Sequence, residues 1–311
     1  MKIVYLAIIL SFVSCSMIRP KKNVVLPTFN VAEHRVFPGK VKKLQIEIPK
    51  SINELSNNEI VCGGKKLASV LEGDYLVSYF SLNYKFLETS KEKSIPCFLE
   101  SSIEGDSYSF HIFNLRPEKF DYPLSYIKVN KKHVDLSKED LDRFLKEKAK
   151  LKDVYSAVTQ DKKLYSTSFV RPLKSKVTGV YGSRRVFNNK KDSWHSGTDF
   201  RARRPIPITS SNDGVVVFAD DLFFNGKTVL VDHGLGILTM YCHLSKINVK
   251  VGDKVDKKMT LGLSGNTGRS SAPHLHWGVR IGENWVDGLQ FLDEQTSEEL
   301  KVNYQSAASK K

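Results

Sequence analysis

Ala272-Pro273-His274-Leu275-His276-Trp277-Gly278 is the stretch from which the rest of the chain is read. Two histidines two residues apart, running on into Val279-Arg280, mark the start of a β-strand. Side chains at i and i+2 of a strand leave the same face, so His274 and His276 are expected to point into one site. Zn²⁺ accepts imidazole nitrogen readily, which makes a convergent pair a competent half of a metal centre. One His-x-His alone is equally compatible with surface or core histidines, and the segments upstream decide between these readings.

The decisive upstream segment is Trp194-His195-Ser196-Gly197-Thr198-Asp199-Phe200. Gly197 and Thr198 argue against a helix, so His195 and Asp199 are expected on a loop that runs into a strand. With His276 they make three protein ligands and leave a fourth position for water, the arrangement that separates a catalytic zinc from a closed structural one. Two imidazoles are left over: His274, and His243 at the end of the strand Met240-Tyr241-Cys242-His243. A metal lowers the pKa of its water to about 7. A neighbouring imidazole can take that proton, and a second can stabilise the oxyanion or protonate a leaving amine. Adjacent strand residues point to opposite faces, so Cys242 is expected to be packing rather than half of a Cys-His dyad. His233, in the turn Asp232-His233-Gly234, is expected to be structural.

These segments resemble those of the lysostaphin-like (LytM-type) zinc endopeptidases, which cut peptide bonds in bacterial peptidoglycan. The resemblance covers about Thr178 to Leu292. His195-x-x-x-Asp199 corresponds to the family's first ligand pair and His274-x-His276 to its second motif. Tyr241-Cys242-His243-Leu244-Ser245 matches its Tyr-x-His-Leu-Ser segment, and Gly262 to Ser270 fits the Gly-rich loop before His-x-His. The resemblance implies that His195, Asp199 and His276 bind zinc and that His243 and His274 are catalytic. Pro205 and Ala272 depart from frequent glycines in groove-lining loops, which bears on substrate preference. Some relatives have lost zinc ligands and act as wall-binding modules that activate amidases. Here every ligand position is filled, which favours catalysis. The alternative is a non-catalytic or autoinhibited module, shut by its own N-terminal segment.

The remainder frames this site. The chain has 311 residues, 41% of them hydrophobic, which suits a globular protein of two domains. A formal charge of +14 favours anionic partners such as wall polymers. No nucleic-acid-binding signature accompanies it, so nucleic acid is not an expected partner. Lys2, the apolar run Ile3 to Leu10 and small residues before Cys15 predict a signal peptide over 1–16. Val13-Ser14-Cys15 resembles a bacterial lipoprotein box, with a lipid on Cys15 as membrane anchor. Export to the periplasm or cell envelope is the expected location, anchored or secreted. A tether follows over 17–27. Alternating segments such as Lys43 to Ile48, with Tyr75 to Phe80, Tyr108 to Phe113 and Ser125 to Val129, predict a β-sandwich-like domain over 28–132. In an exported chain Cys62 and Cys97 can pair; free thiols remain the alternative. Ser137-Lys138-Glu139-Asp140 is a capping box, flanked by Leu136 and Leu141 as a hydrophobic staple. It opens a linker helix of about 138–156 within the segment 133–160. An antiparallel-β peptidase domain is expected over 161–293 and a flexible basic tail over 294–311. The fold class is mainly β, α+β overall; sequence does not set the oligomeric state.

Overall fold

The computed structural model describes residues 26–50, 56–103, 106–131, 134–203, 205–294 and 300–305. The expected signal peptide, the Cys15 lipidation site and most of the tether lie outside the described residues. No described helix is long and apolar enough to cross a membrane.

The alternating segment 43–48 behaves as its period requires. Leu44, Ile46 and Ile48 are buried, while Lys43, Gln45 and Glu47 are only partly so. The strand Val41–Glu47 lies between Leu300–Val302 and Tyr75–Ser81, with Ser69–Glu72 at the far edge. A second sheet runs in the order Ala32–Val36, Asp106–Pro117, Ile95–Ile103, Ser56–Cys62, Lys65–Lys66. Leu44, Ile46, Leu76 and Phe80 from the first sheet share one core with Ile60, Leu99, Phe113 and Leu115 from the second. Two sheets with a common apolar interior make a sandwich. Cys62 and Cys97 stand opposite each other in the ladder and are joined as a disulfide.

Two expectations for this domain need correction. The segment 300–305 is not a free tail. Leu300 and Val302 are buried apolar residues at period two, so they complete a sheet, parallel to Val41–Glu47. Tyr304–Gln305 then pairs with Thr28–Phe29. The strand Leu124–Ile127 leaves the sandwich and pairs in parallel with Arg184–Phe187, which pairs in turn with Lys191–Trp194. Its short aromatic pattern predicts a strand but carries no information on which partner it takes.

The helix spans Lys138–Ser156, and the Ser137 hydroxyl accepts the Asp140 N–H as the capping box requires. Leu151, Val154 and Tyr155 pack against Phe218, Leu230, Leu238, Met240 and Cys242. Leu141, the staple residue, and Leu145 one turn on stay exposed.

The C-terminal domain is built on one large antiparallel sheet. Its central path is Val177–Gly179, Thr198–Arg201, His274–Ile281, Ile237–Ile247, Gly226–Asp232, Gly214–Leu222. One face packs Phe200, Tyr241, Leu275, Trp277 and Val279 into a core that also takes in Val41 and Tyr79 of the sandwich. The other face carries the helix along part of its length and the histidine cluster along the rest. The junction is tied by polar groups as well. Lys40 pairs with Asp287 at 2.6 Å, and the Gln290 amide bonds both the N–H and the carbonyl of Val41.

Candidate active site

Strand register brings the site together. Asp199 stands directly opposite His276 on adjacent antiparallel strands, so their side chains leave the same face. His195 opens the short link between Lys191–Trp194 and Thr198–Arg201 and reaches the same point. His195 Nε2 lies 2.9 Å from Asp199 Oδ1 and 3.0 Å from His276 Nδ1, and His276 Nδ1 lies 3.0 Å from Asp199 Oδ1. All three residues are buried.

Backbone carbonyls set the tautomers. His195 Nδ1–H donates to the Val180 carbonyl (2.7 Å), His243 Nδ1–H to that of Thr267 (2.7 Å), and His274 Nδ1–H to that of Ala272 (2.8 Å). Each of these rings therefore turns Nε2 to the centre, as a lone pair where the ring is neutral. His276 is the exception and turns its Nδ1 inward. His195 Nε2, Asp199 Oδ1 and His276 Nδ1 are then acceptor atoms around one point, which a single proton on His276 cannot satisfy. A divalent cation of the zinc type suits this donor set; no other group of three metal-ligating side chains converges in this way among the described residues.

The second carboxylate oxygen is also held: Arg185 donates to Asp199 Oδ2 at 2.6 Å. Gly179 permits this pairing, since a Cβ there would stand 2.6 Å from both the Arg185 guanidinium and Asp199 Oδ2. Burial opposes ionisation of Asp199, but its contacts with His195 and His276 outweigh it and hold the carboxyl well below its ordinary value. Burial pushes His276 down to about 4, and pushes His243, beside His274 and His276, well below its ordinary value. Both imidazoles are thus neutral at pH 7, able to act as ligand or proton acceptor.

The remaining two histidines flank this cluster. His274 Nε2 is 3.6 Å from Asp199 Oδ1, and the His243 and His274 ring centres are 4.7 Å apart. His243 does not end its strand, which continues to Ile247. Instead the ladder is irregular on both sides here, and His243 has φ of 60°. A left-handed residue inside a strand is a bulge, and bulges re-aim side chains beside active sites.

That bulge corrects the reasoning about Cys242. The thiol is opposite His276 in the ladder and so shares the site's face rather than the far one. It is packing nonetheless: fully buried against Leu230 and Met240, with burial pushing it up to about 12. Without the bulge His243, not Cys242, would face away. His233 stands apart, buried, with Nδ1–H donating to Asp213 O (2.6 Å) and Nε2 accepting from the Thr239 hydroxyl (2.7 Å).

The cluster opens on a cleft of about 710 Å³. Two of its contributors are not legible in the motifs. Arg185 belongs to no motif, and only the fold shows its carboxylate partner. Tyr126 to Val129, from the end of the first domain, lines one wall.

Residues 193–288 match the profile of peptidase family M23. The Vibrio cholerae peptidoglycan DD-endopeptidase ShyA is 42% identical over 101 residues, 32% of this chain and 24% of ShyA. The Neisseria gonorrhoeae DD-carboxypeptidase/endopeptidase Mpg is 38% identical over 87 residues, 28% of this chain and 20% of Mpg. The aligned part is thus about a quarter or less of these relatives' length. A crystal structure from Pseudomonas aeruginosa, of a protein provisionally assigned to peptidase M23, has a TM-score of 0.60 at 27% identity. It covers 82% of this chain and 94% of that one, so the likeness reaches the sandwich and helix. The C-terminal half of this chain therefore carries a peptidase family M23 domain.

Proposed function

We propose that the chain is an exported zinc-dependent endopeptidase that hydrolyses cross-links or stem peptides of bacterial peptidoglycan. One observation carries the reading: three buried donors, His195, Asp199 and His276, converge with two further imidazoles on one sheet face beside an open cleft. The similarity to ShyA, a peptidoglycan DD-endopeptidase, and the match to peptidase family M23 support the substrate class. The Cys62–Cys97 disulfide supports export, since such bonds persist in oxidising compartments. Anchoring by a lipid on Cys15 belongs to the same proposal and rests on the sequence alone.

His195, Asp199 and His276 would hold the zinc. When bound, zinc acidifies water and polarises the scissile carbonyl. The rest falls to side chains of this chain. Arg185 fixes the Asp199 carboxylate so that only Oδ1 faces the centre. His243, kept neutral by burial and anchored through Nδ1–H, offers Nε2 to accept the proton released as water adds to the carbonyl carbon. His274, anchored likewise, turns Nε2 to the same centre beside His243 and, when it carries a proton there, is placed to steady the developing oxyanion by donating to it. As the C–N bond breaks, the stored proton goes to the leaving amine.

Mass spectrometry of purified peptidoglycan incubated with the mature chain tests this, with and without chelator and with zinc restored. Zinc-dependent appearance of peptides split at one bond is expected. No cleavage by the protein under any of these conditions would replace the reading with that of a wall-binding module that activates amidases.

A further inference from the structure

The described lining of the catalytic cleft carries Lys128, Arg185, Arg201, Arg203 and Arg269, against one carboxylate, Asp199. Arg185 is already paired with that carboxylate, and Arg201 and Arg203 are exposed to water. Arg269 is different. It is only partly exposed, and its guanidinium carbon lies 4.4 Å from the ring centres of both Phe187 and Phe224. Its backbone N–H donates to the Phe224 carbonyl at 2.7 Å, which roots the residue against the same ring. Among the described residues no carboxylate pairs with its guanidinium and no acceptor takes a hydrogen bond from it. The charge that it feels most is Arg185, of like sign, and together with burial this pushes it down to about 10, so it remains a cation at neutral pH.

A partly desolvated guanidinium without a counter-ion is unfavourable unless an anion arrives to meet it. Packing against two rings fixes the plane, and the planar fork of N–H donors matches a carboxylate in bidentate fashion. The position is also apt. The next residue, Ser270, touches His274 Nδ1 at 3.1 Å, so a group held by Arg269 is tied to the catalytic loop. Arg269 further lines a larger cleft of about 1580 Å³ between sandwich, helix and C-terminal domain, which shares Ser193, Phe224 and Asn225 with the catalytic one.

We propose that Arg269 is a specificity residue that binds a free carboxylate of the substrate peptide near the scissile bond, so that the site discriminates against substrates amidated there. The proposal rests on the endopeptidase reading for its substrate class and names the chemical feature that the cleft selects.

The test separates binding from turnover. Cross-linked dimeric muropeptides released from sacculi by a muramidase serve as the probe, as isolated with free carboxylates and after carbodiimide-mediated amidation with ammonia. Binding to the mature chain is measured by calorimetry in the presence of chelator. Wild type is expected to prefer the free-acid dimer by about tenfold or more. Arg269→Gln should bring the ratio close to one, and Arg269→Lys, which keeps the charge but loses the fork, should fall between. Equal wild-type affinity for both dimers, or an Arg269→Gln protein that folds and keeps the wild-type ratio, overturns the proposal. Restoring zinc then reads turnover separately. A wild type that binds with free-acid preference but cuts neither dimer removes the endopeptidase reading and leaves the carboxylate site standing.

Discussion

The sandwich and the C-terminal domain are both β-structures with closed apolar cores, yet they treat polar groups in opposite ways. Among the described residues the sandwich buries Ser78 and Ser101 and no acid, base or imidazole. The C-terminal domain buries His195, His233, His243, His276, Asp199 and Asp232. Burying an ionisable group costs stability unless it is fully partnered. A domain that retains six does so for a structural network or for chemistry. The two uses can be told apart by partners. His233 has a protein partner on each ring nitrogen, whereas His195, Asp199 and His276 turn acceptor atoms toward each other around one point.

The sharpest way to break this contrast is to remove one group from each region. His276→Ala should lower turnover by on the order of 10³-fold or more, about 4 kcal/mol of transition-state stabilisation, while the domain still folds. Replacing Cys62 and Cys97 by Ala should do the reverse. It should cost about 3–4 kcal/mol of stability, as expected for a loop of this length, and leave turnover per folded molecule unchanged. Kinetics on peptidoglycan and denaturant melts read the two effects. A His276→Ala protein with undiminished hydrolysis would remove the metal site from the mechanism.

A finer contrast lies inside the C-terminal domain. His243→Ala should lower kcat by about 10²–10⁴-fold with little change in stability. His233→Ala should leave kcat alone and cost about 1–3 kcal/mol, because Asp213 O loses its imidazole donor and the Thr239 hydroxyl one of its two partners. If the two variants behave alike, the partner criterion fails.

Much of this was legible beforehand, for a physical reason. A convergent His/Asp cluster demands fixed residue types at fixed strand spacing, so His195, Asp199, His243, His274 and His276 announce themselves, and all five meet in the fold. The helix was equally plain, because a Ser137 cap and a 3.6-residue period are local signals. What stayed hidden was non-local. The pairing of Leu124–Ile127 with Arg184–Phe187, the return of Leu300–Val302 to the sandwich and the Arg185–Asp199 contact all depend on which segments meet. The His243 bulge was hidden too, since period-two reasoning assumes a regular strand and places Cys242 on the wrong face.

Acid should expose the same asymmetry. Burial pushes His233 down to about 4 from an ordinary 6.5. An imidazole with a depressed folded pKa binds fewer protons folded than unfolded. Its contribution is therefore complete above about 6.5 and is lost as pH falls toward 4, at roughly 3 kcal/mol for a shift of this size. All three tryptophans, Trp194, Trp277 and Trp285, belong to the C-terminal domain, so their fluorescence follows its melting. Between pH 7 and 4.5 the chelated wild type should lose more stability than His233→Gln, whose amide can keep both hydrogen bonds. Equal losses would assign the acid sensitivity elsewhere.

The smallest effect is expected where the first domain touches the chemistry. Tyr126 follows the sandwich in sequence, lines the catalytic cleft and is 70% exposed. It lies on the cleft wall and is exposed, so it is expected to contribute by being covered when substrate arrives. Tyr126→Ala should raise KM by about 3–10-fold, the ~1 kcal/mol expected from partial burial of one ring, and leave kcat unchanged. Uniform binding of this kind appears in KM alone, because it acts equally on ground and transition states. A fall in kcat would mean that this wall shapes the reacting geometry. A rise in activity would mean that it restricts entry to the cleft, and the first domain would then be a regulator of the site rather than a bystander.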